Sequence, residues 1–191
     1  MSDQGRGRVD RFGESDLYYR VPDPLEDEID ELDCGTTDFA LEEQEYFVAR
    51  RWTGSGPWPE CRCLQFVSEQ GDVIGYAAFS FASVHHPTRK SSGQRDYVFV
   101  YHLCVTTAFQ GRPDPSDPHG RKYSEEILLL MEELALHAEC AGVYLNVRTN
   151  NARAKTVYER LGFVADGEYA QNATGHRMLR MRKVLSENSA A

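Results

Sequence analysis

Asn150-Asn151-Ala152-Arg153-Ala154-Lys155-Thr156-Val157-Tyr158-Glu159-Arg160-Leu161-Gly162-Phe163 is the stretch that decides how this chain is read. Both of its ends are marked for a short helix. Asn150 or Asn151 can cap the start by taking an orphan backbone N–H on its side-chain oxygen. Gly162 stands just past the last apolar residue, where a left-handed residue closes a helix. Ala154, Val157, Tyr158 and Leu161 fall at i, i+3, i+4 and i+7, one face of a 3.6-residue period. Tyr158 is the member of that face with a titratable tip. On spacing alone the segment is an amphipathic helix laid on a sheet, with Tyr158 at its rim.

A strand-like run, Gly142-Val143-Tyr144-Leu145-Asn146-Val147-Arg148, precedes it. The string Asn-x-x-Ala-x-x-x-Tyr-x-x-x-Gly-Phe after such a strand resembles the motif B segment of the GNAT (GCN5-related) N-acetyltransferases. The resemblance covers roughly residues 17–185 and is strongest from Tyr97 onward. It implies an α/β fold with a mixed, mostly antiparallel sheet and flanking helices, the central strands lying parallel through a helical crossover. It also implies acetyl-CoA as co-substrate without a metal. Tyr158 would stand near the coenzyme A sulfur and protonate the leaving thiolate, and Asn151 would help fix the cofactor-side loop.

The bulk of the chain is consistent with one domain of ordinary size. It has 191 residues, 41% of them hydrophobic, which is enough for a core. No apolar run reaches the ~18 residues that span a bilayer, and Met1-Ser2-Asp3-Gln4-Gly5-Arg6-Gly7-Arg8 has no apolar signal region. A cytoplasmic location with five reduced cysteines is the expectation, because Cys34, Cys61, Cys63, Cys104 and Cys140 are odd in number and scattered. The net charge of −9 argues against a nucleic-acid partner. Acid gathers early, at Glu14, Asp16, Asp23, Glu26, Asp27, Glu28, Asp30, Glu31 and Asp33. Such a run is ordinarily a solvated face; functionally it would draw a cationic acceptor.

In chain order, residues 1–13 and 186–191 read as tails around a single domain of residues 14–185. Leu17–Val21 is a short strand halted by Pro22 and Pro24, and residues 38–52 carry a helical pattern behind Asp33-Cys34-Gly35, a segment that weakly resembles the entry to the first helix in some GNAT proteins. Gly54–Pro59 is a loop, and Arg62–Ser68 and Val73–Val84 form a hairpin across Gln70-Gly71-Asp72. Gly75 inside the second strand marks a bulge or a close backbone approach. His85-His86 point to opposite faces of a strand and so make a poor metal pair. Tyr97–Thr106 is the central strand, apolar on both faces, and His102 is its polar interruption. That histidine is either a satisfied core residue or a base for the amine proton.

The family carries Gln/Arg-x-x-Gly-x-Gly/Ala before its longest helix, with backbone N–H groups holding the pyrophosphate. Counting back from Ile127-Leu128, the sequence offers His119-Gly120-Arg121-Lys122-Tyr123-Ser124, with His119 first, Lys122 in place of the first glycine and Ser124 last. A stretch with three prolines, Gln110 to Pro118, precedes it. Arg121 and Lys122 could pair with phosphate, whereas Glu125 and Glu126 would repel it if they faced it. From Ser124 to about Cys140 the stripe Ile127, Leu128, Leu130, Met131, Leu134, Ala135, Ala138 is a buried helix. Residues 163–169 and 176–185 close the sheet.

These expectations add up to acyl transfer from acetyl-CoA to a primary amine of a small molecule or peptide. A backbone N–H near Cys104, Val105 or Thr106 would polarise the thioester carbonyl, with Tyr158 as acid and His102 as base. Two other readings stay open: an acyl-CoA-binding regulatory domain without turnover, and a toxin-like enzyme acetylating aminoacyl-tRNA. The sequence does not fix the acceptor, the acyl length or the oligomeric state, and a homodimer is compatible with it.

Overall fold

The computed structural model of the protein describes residues 10–11, 17–22, 62–82, 97–170 and 175–185. The expected helix of residues 38–52, the Asp33-Cys34-Gly35 segment, the acidic run, the Gly54–Pro59 loop and His85-His86 lie outside them. The chain divides into two compact units, Met1–Phe79 with His102–Ile127, and Ser80–Tyr101 with Leu128–Ala191.

In the first unit, β1 (Asp10–Arg11), β2 (Tyr18–Arg20), β3 (Arg62–Val67) and β4 (Val73–Ala82) pair in succession, each antiparallel to the one before. Asp10 and Arg11, expected within a tail, instead pair with Tyr19 and Tyr18. The β3–β4 turn closes where Gly71 takes φ +88°, a backbone that glycine adopts without a Cβ clash. Phe66 faces Gly75 and Val67 faces Val73, so Ile74 is an extra residue and the strand bulges there. A Cβ at Gly75 would fall 2.0 Å from the Cys104 carbonyl oxygen. Both halves of the Gly75 reading therefore hold. Cys104 belongs to the end of β5 (Tyr97–Val105), which runs beside β4, where Thr106 N–H donates to the Ile74 carbonyl at 2.8 Å.

The second unit carries the other part of β5, then β6 (Gly142–Arg148), β8 (Arg177–Val184) and β7 (Val164–Ala170), in that spatial order. β5 and β6 are parallel over four residue pairs, from Tyr97–Gly142 to Val100–Leu145. Parallel neighbours need a long crossover, and helix α1 (Tyr123–His137) supplies it. β6, β8 and β7 pair antiparallel, so the sheet is mixed. Val98, Val100, Val143, Leu145 and Met181 alternate onto one buried face, and Leu128, Met131 and Ala135 of α1 are buried as well. Each of the valine, leucine and methionine side chains contributes about 1.5–3 kcal/mol on leaving water. Lys183, on the Met181 face, holds Glu132 of α1 at 2.7 Å and so ties the helix to that face.

The two helices end on the same hydrogen-bond motif with different residues. Helix α2 (Ala152–Arg160) starts on Asn151, whose Oδ1 accepts Ala154 N–H at 3.1 Å. It closes with Phe163 N–H donating to Tyr158 O and Gly162 N–H to Glu159 O, Gly162 lying at φ +88°. α1 stops at His137, three residues before the expected end. There Cys140 N–H donates to Ala135 O and Glu139 N–H to Leu136 O, with Glu139 at φ +55°. A glutamate in the left-handed position hid this end from the sequence, and Ala138 is exposed beyond it.

Glu139 therefore stands where an L side chain clashes with its own backbone. Glu139→Gly should raise stability by about 0.5–1 kcal/mol, seen as a Tm rise of ~1–4 °C by calorimetry. Gly162→Ala should move the Tm in the opposite direction. A drop with Glu139→Gly would mean that the strain is absent.

Candidate active site

The first unit brings together the end of β5 and the start of α1. After Thr106 the chain turns, with Phe109 and Gln110 N–H groups donating to Thr106 O at 2.9 and 3.0 Å. The Phe109 ring meets Tyr123 edge to face at 5.5 Å, joining this turn to the first residue of α1. Between them the chain leaves and returns. Pro113 bridges Lys122, and Asp114 N–H donates to Arg121 O at 2.8 Å. The proline-containing segment is thus a closed excursion, with His119 and Gly120 at its exposed turn and Gly120 at φ +65°.

This closure changes which residues precede the helix in space. Gln110-Gly111-Arg112 meets Lys122-Tyr123-Ser124 across the base of the excursion. Set end to end, these six residues match Gln/Arg-x-x-Gly-x-Gly/Ala at Gln110 alone of its defining positions, with Lys122 in place of the first glycine and Ser124 in place of the last small residue. His119 lies away from that base. Gln110 is the residue the sequence reading passed over, and its signal was the glutamine itself, hidden by the insert that follows. Its Nε2 donates to Val105 O at 2.9 Å, fastening the turn to the end of β5.

The excursion is locked by its own charges. Asp114 is buried and accepts Ser116 N–H at 2.9 Å and Ser116 Oγ at 2.7 Å. Asp117 accepts Arg121 N–H at 2.6 Å, and the Arg121 guanidinium lies 3.6 Å from both Asp117 and Glu126. Burial, together with Asp117 and then Asp114, pushes the Glu126 carboxyl up, while Arg121 pulls it down. Glu125 Oε2 accepts Lys122 N–H at 3.0 Å, the returning half of a capping box.

These bonds test whether a pyrophosphate fits. The N–H groups of Arg121 and Lys122 are already satisfied by this chain's own carboxylates. The Arg112 and Lys122 cations, however, have no carboxylate within ion-pair distance among the described residues. Ser124, in the first turn of α1, adds a helix N-terminal N–H and a hydroxyl. The residues fit a polyanion held by side-chain cations at the helix start, not by the amides of residues 121 and 122.

Along β5, Thr106 N–H is committed to Ile74, and Thr106 Oγ1 donates towards Ile74 O at 3.2 Å or Val73 O at 3.3 Å. N–H groups alternate sides along a strand, so Val105 faces the edge away from β4, the edge on which its carbonyl takes Gln110. Val105 is therefore the member of the Cys104–Thr106 trio whose N–H points off β4. Cys104 is disulfide-bonded, whereas Cys63 and Cys140 are buried thiols outside any disulfide. The expectation of five reduced thiols fails at Cys104, which no spacing rule in the sequence singled out. His102 stacks on Tyr76 at 5.3 Å with 17° between the rings, and burial, then Cys63, pushes the Tyr76 hydroxyl well above the usual range.

In the second unit, α2 presents its stripe as expected, although none of its residues is fully buried. Tyr158 is half-buried, its ring 6.0 Å from Phe163. Burial pushes its hydroxyl up to about 12, so it stays protonated across the neutral range. Asn151 is occupied as the helix cap. Among the described residues no three His, Cys, Asp or Glu side chains gather as a metal ligand set, and no helix is long and apolar enough to cross a membrane.

No family model and no curated protein matches the chain. Solved structures do. A chain described as a GNAT-family acetyltransferase from Bordetella pertussis is 17% identical, with 92% of this chain and 99% of that one covered and a TM-score of 0.55. Arabidopsis thaliana NAA60 in complex with acetyl-CoA is 14% identical over 88% and 98%, with a TM-score of 0.57. Nourseothricin acetyltransferase is 22% identical over 67% of each chain, with a TM-score of 0.50. At these identities the likeness is one of fold, and the fold of this chain is that of the GNAT acetyltransferases.

Proposed function

We propose that the protein transfers an acetyl group from acetyl-CoA to a primary amine by direct attack, with both substrates bound. The observation that carries this is that Arg112 and Lys122, which meet no carboxylate among the described residues, flank the bridge that leads into α1 in a chain of net charge −9. A polyanionic cofactor is what such a pair would hold. When bound, acetyl-CoA supplies the activated thioester.

Three groups are assigned roles, each from its own surroundings. Val105 N–H, turned away from β4, would donate to the thioester oxygen as charge builds there. The Tyr158 hydroxyl, held protonated, would donate to the departing sulfur. His102 would take the proton that the amine loses. Holding amine and thioester together removes much of the entropic barrier. A second reading has one observation behind it. Asp117 and Glu125 already cap amides that a pyrophosphate would use, which suits a domain that binds acyl-CoA weakly or without turnover. Acetyl-CoA binding with no thiol release across a broad amine panel would select it.

Acetyl-CoA should raise the Tm, by about 2.7 kcal/mol of stabilisation at ~100 times its Kd. Lys122→Gln and Arg112→Gln should each weaken its binding by ~10-fold, as expected when a charged hydrogen bond to phosphate is lost. No thermal shift at millimolar acetyl-CoA in calorimetry would refute the proposal.

Tyr158→Phe should lower turnover by ~10² to 10⁴ with acetyl-CoA affinity unchanged, as read by thiol release. The raised hydroxyl has its own signature. At pH 10 an ordinary tyrosine is half ionised, whereas Tyr158 should remain neutral. Wild type and Tyr158→Phe should then show equal phenolate absorbance at that pH. An ordinary tyrosinate contribution, or wild-type turnover in the variant, would leave Tyr158 as a packing residue.

A further inference from the structure

Arg180 differs from the other basic residues of β8. Arg177 holds Glu168 at 2.6 Å, Arg182 lies 3.7 Å from Asp166, and Lys183 holds Glu132 at 2.7 Å. Arg180 has no carboxylate within ion-pair distance among the described residues. Its guanidinium instead lies 5.5 Å from the centroid of the Tyr144 ring and 5.6 Å from that of Tyr169. Tyr144 is itself held, its hydroxyl donating to Asp166 at 2.7 Å and its ring tilted against Phe99 at 6.1 Å. Arg180 is thus a half-buried cation set against two aromatic faces, with no carboxylate partner among the described residues.

Its position adds a second observation. Register sets Arg180 directly across from Asn146, on the face shared with Tyr144 and Phe99 and opposite the Lys183 face that carries α1. Asn146 is the first residue of β6 beyond the last parallel pair, Val100–Leu145, and its Oδ1 is buried with no hydrogen-bond partner. An amide oxygen in this state accepts from a donor, such as a water or the N–H of a bound amine.

We propose that Arg180 binds a carboxylate on the amine acceptor, so that the substrate carries an anionic group as well as the amine that is acylated. This rests on the acyl-transfer reading above and names its substrate class. Two ring faces hold the guanidinium in place, and its planar set of five N–H donors suits a bidentate partner. A carboxylate matches that fork, whereas a second ammonium would be repelled. Arg180 is then a specificity residue that touches substrate.

The test uses the full chain and matched acceptor pairs: ω-amino acids and dipeptides, each against its carboxamide, with putrescine as the cationic competitor. Acetyl-CoA-dependent thiol release should favour the carboxylate member of at least one pair in kcat/KM. Arg180→Gln should lower kcat/KM for that acceptor by ~10 to 100-fold, the range for a charged hydrogen bond, through KM. The carboxamide rate should stay within about twofold. Arg180→Lys, which keeps the charge but loses the fork, should fall between and guards against a folding defect. If no amine turns over at all, millimolar amounts of the same carboxylates should still raise the Tm of wild type and not of Arg180→Gln. That result separates failure of acyl transfer from failure of the site. Preference for putrescine, equal losses for carboxylate and carboxamide, or no carboxylate effect on either readout would overturn the proposal.

Discussion

The structure depends on a short parallel ladder. Tyr97 to Val100 run alongside Gly142 to Leu145, and strands pointing the same way cannot be joined by a tight turn. The chain must travel back along its length, which fixes α1 as the crossover and puts its N-terminus after the end of β5. The Gln110 turn, the excursion and the Arg112–Lys122 pair all exist because that connection has to be made. The ladder has its own condition at Gly142, where a Cβ would lie 2.0 Å from the Lys183 carbonyl oxygen. Only glycine lets β6 lie that close to β8.

Charge explains the rest of the arrangement. In a chain with nine more carboxylates than cations, Arg121, Arg177, Arg182 and Lys183 each meet a carboxylate. Arg112, Lys122 and Arg180 have none within ion-pair distance among the described residues. The first two stand together beside a helix N-terminus, where an anion is favoured; the third is clamped between tyrosines on β7 and β6. A carboxylate ligand would complete the donor fork of the half-buried Arg180 guanidinium. The acid-locked excursion beside Lys122 works against a bound anion, since Asp117 and Glu125 take the amides that a pyrophosphate would otherwise receive. On the proposed reading, cofactor affinity would be set by competition between these carboxylates and the phosphates.

Much of this was legible in the sequence, because the signals were local. Asn151, Gly162 and the Ala154–Leu161 stripe defined α2 and its caps through short-range rules, and the apolar run of Tyr97–Val105 announced a central strand. What stayed hidden was non-local or atypical. Glu139 closes α1 in a backbone region where glycine is expected. Gln110 meets Lys122 only once residues 113–122 fold back on themselves. The commitment of Thr106 N–H to Ile74 is a strand-pairing fact, and the Cys104 disulfide has no spacing signature. Arg180 looked like one of several basic residues on a closing strand, since nothing in its neighbours told that the others had carboxylates and it did not.

The central claim is that acetyl-CoA is held at the end of β5 and the start of α1. Backbone amide NMR during an acetyl-CoA titration tests it residue by residue. Saturable shifts are predicted at Val105 and Ser124, with Arg121 N–H remaining bound to Asp117 and little changed. A titration that leaves Val105 and Ser124 unmoved while amides elsewhere respond would contradict the account.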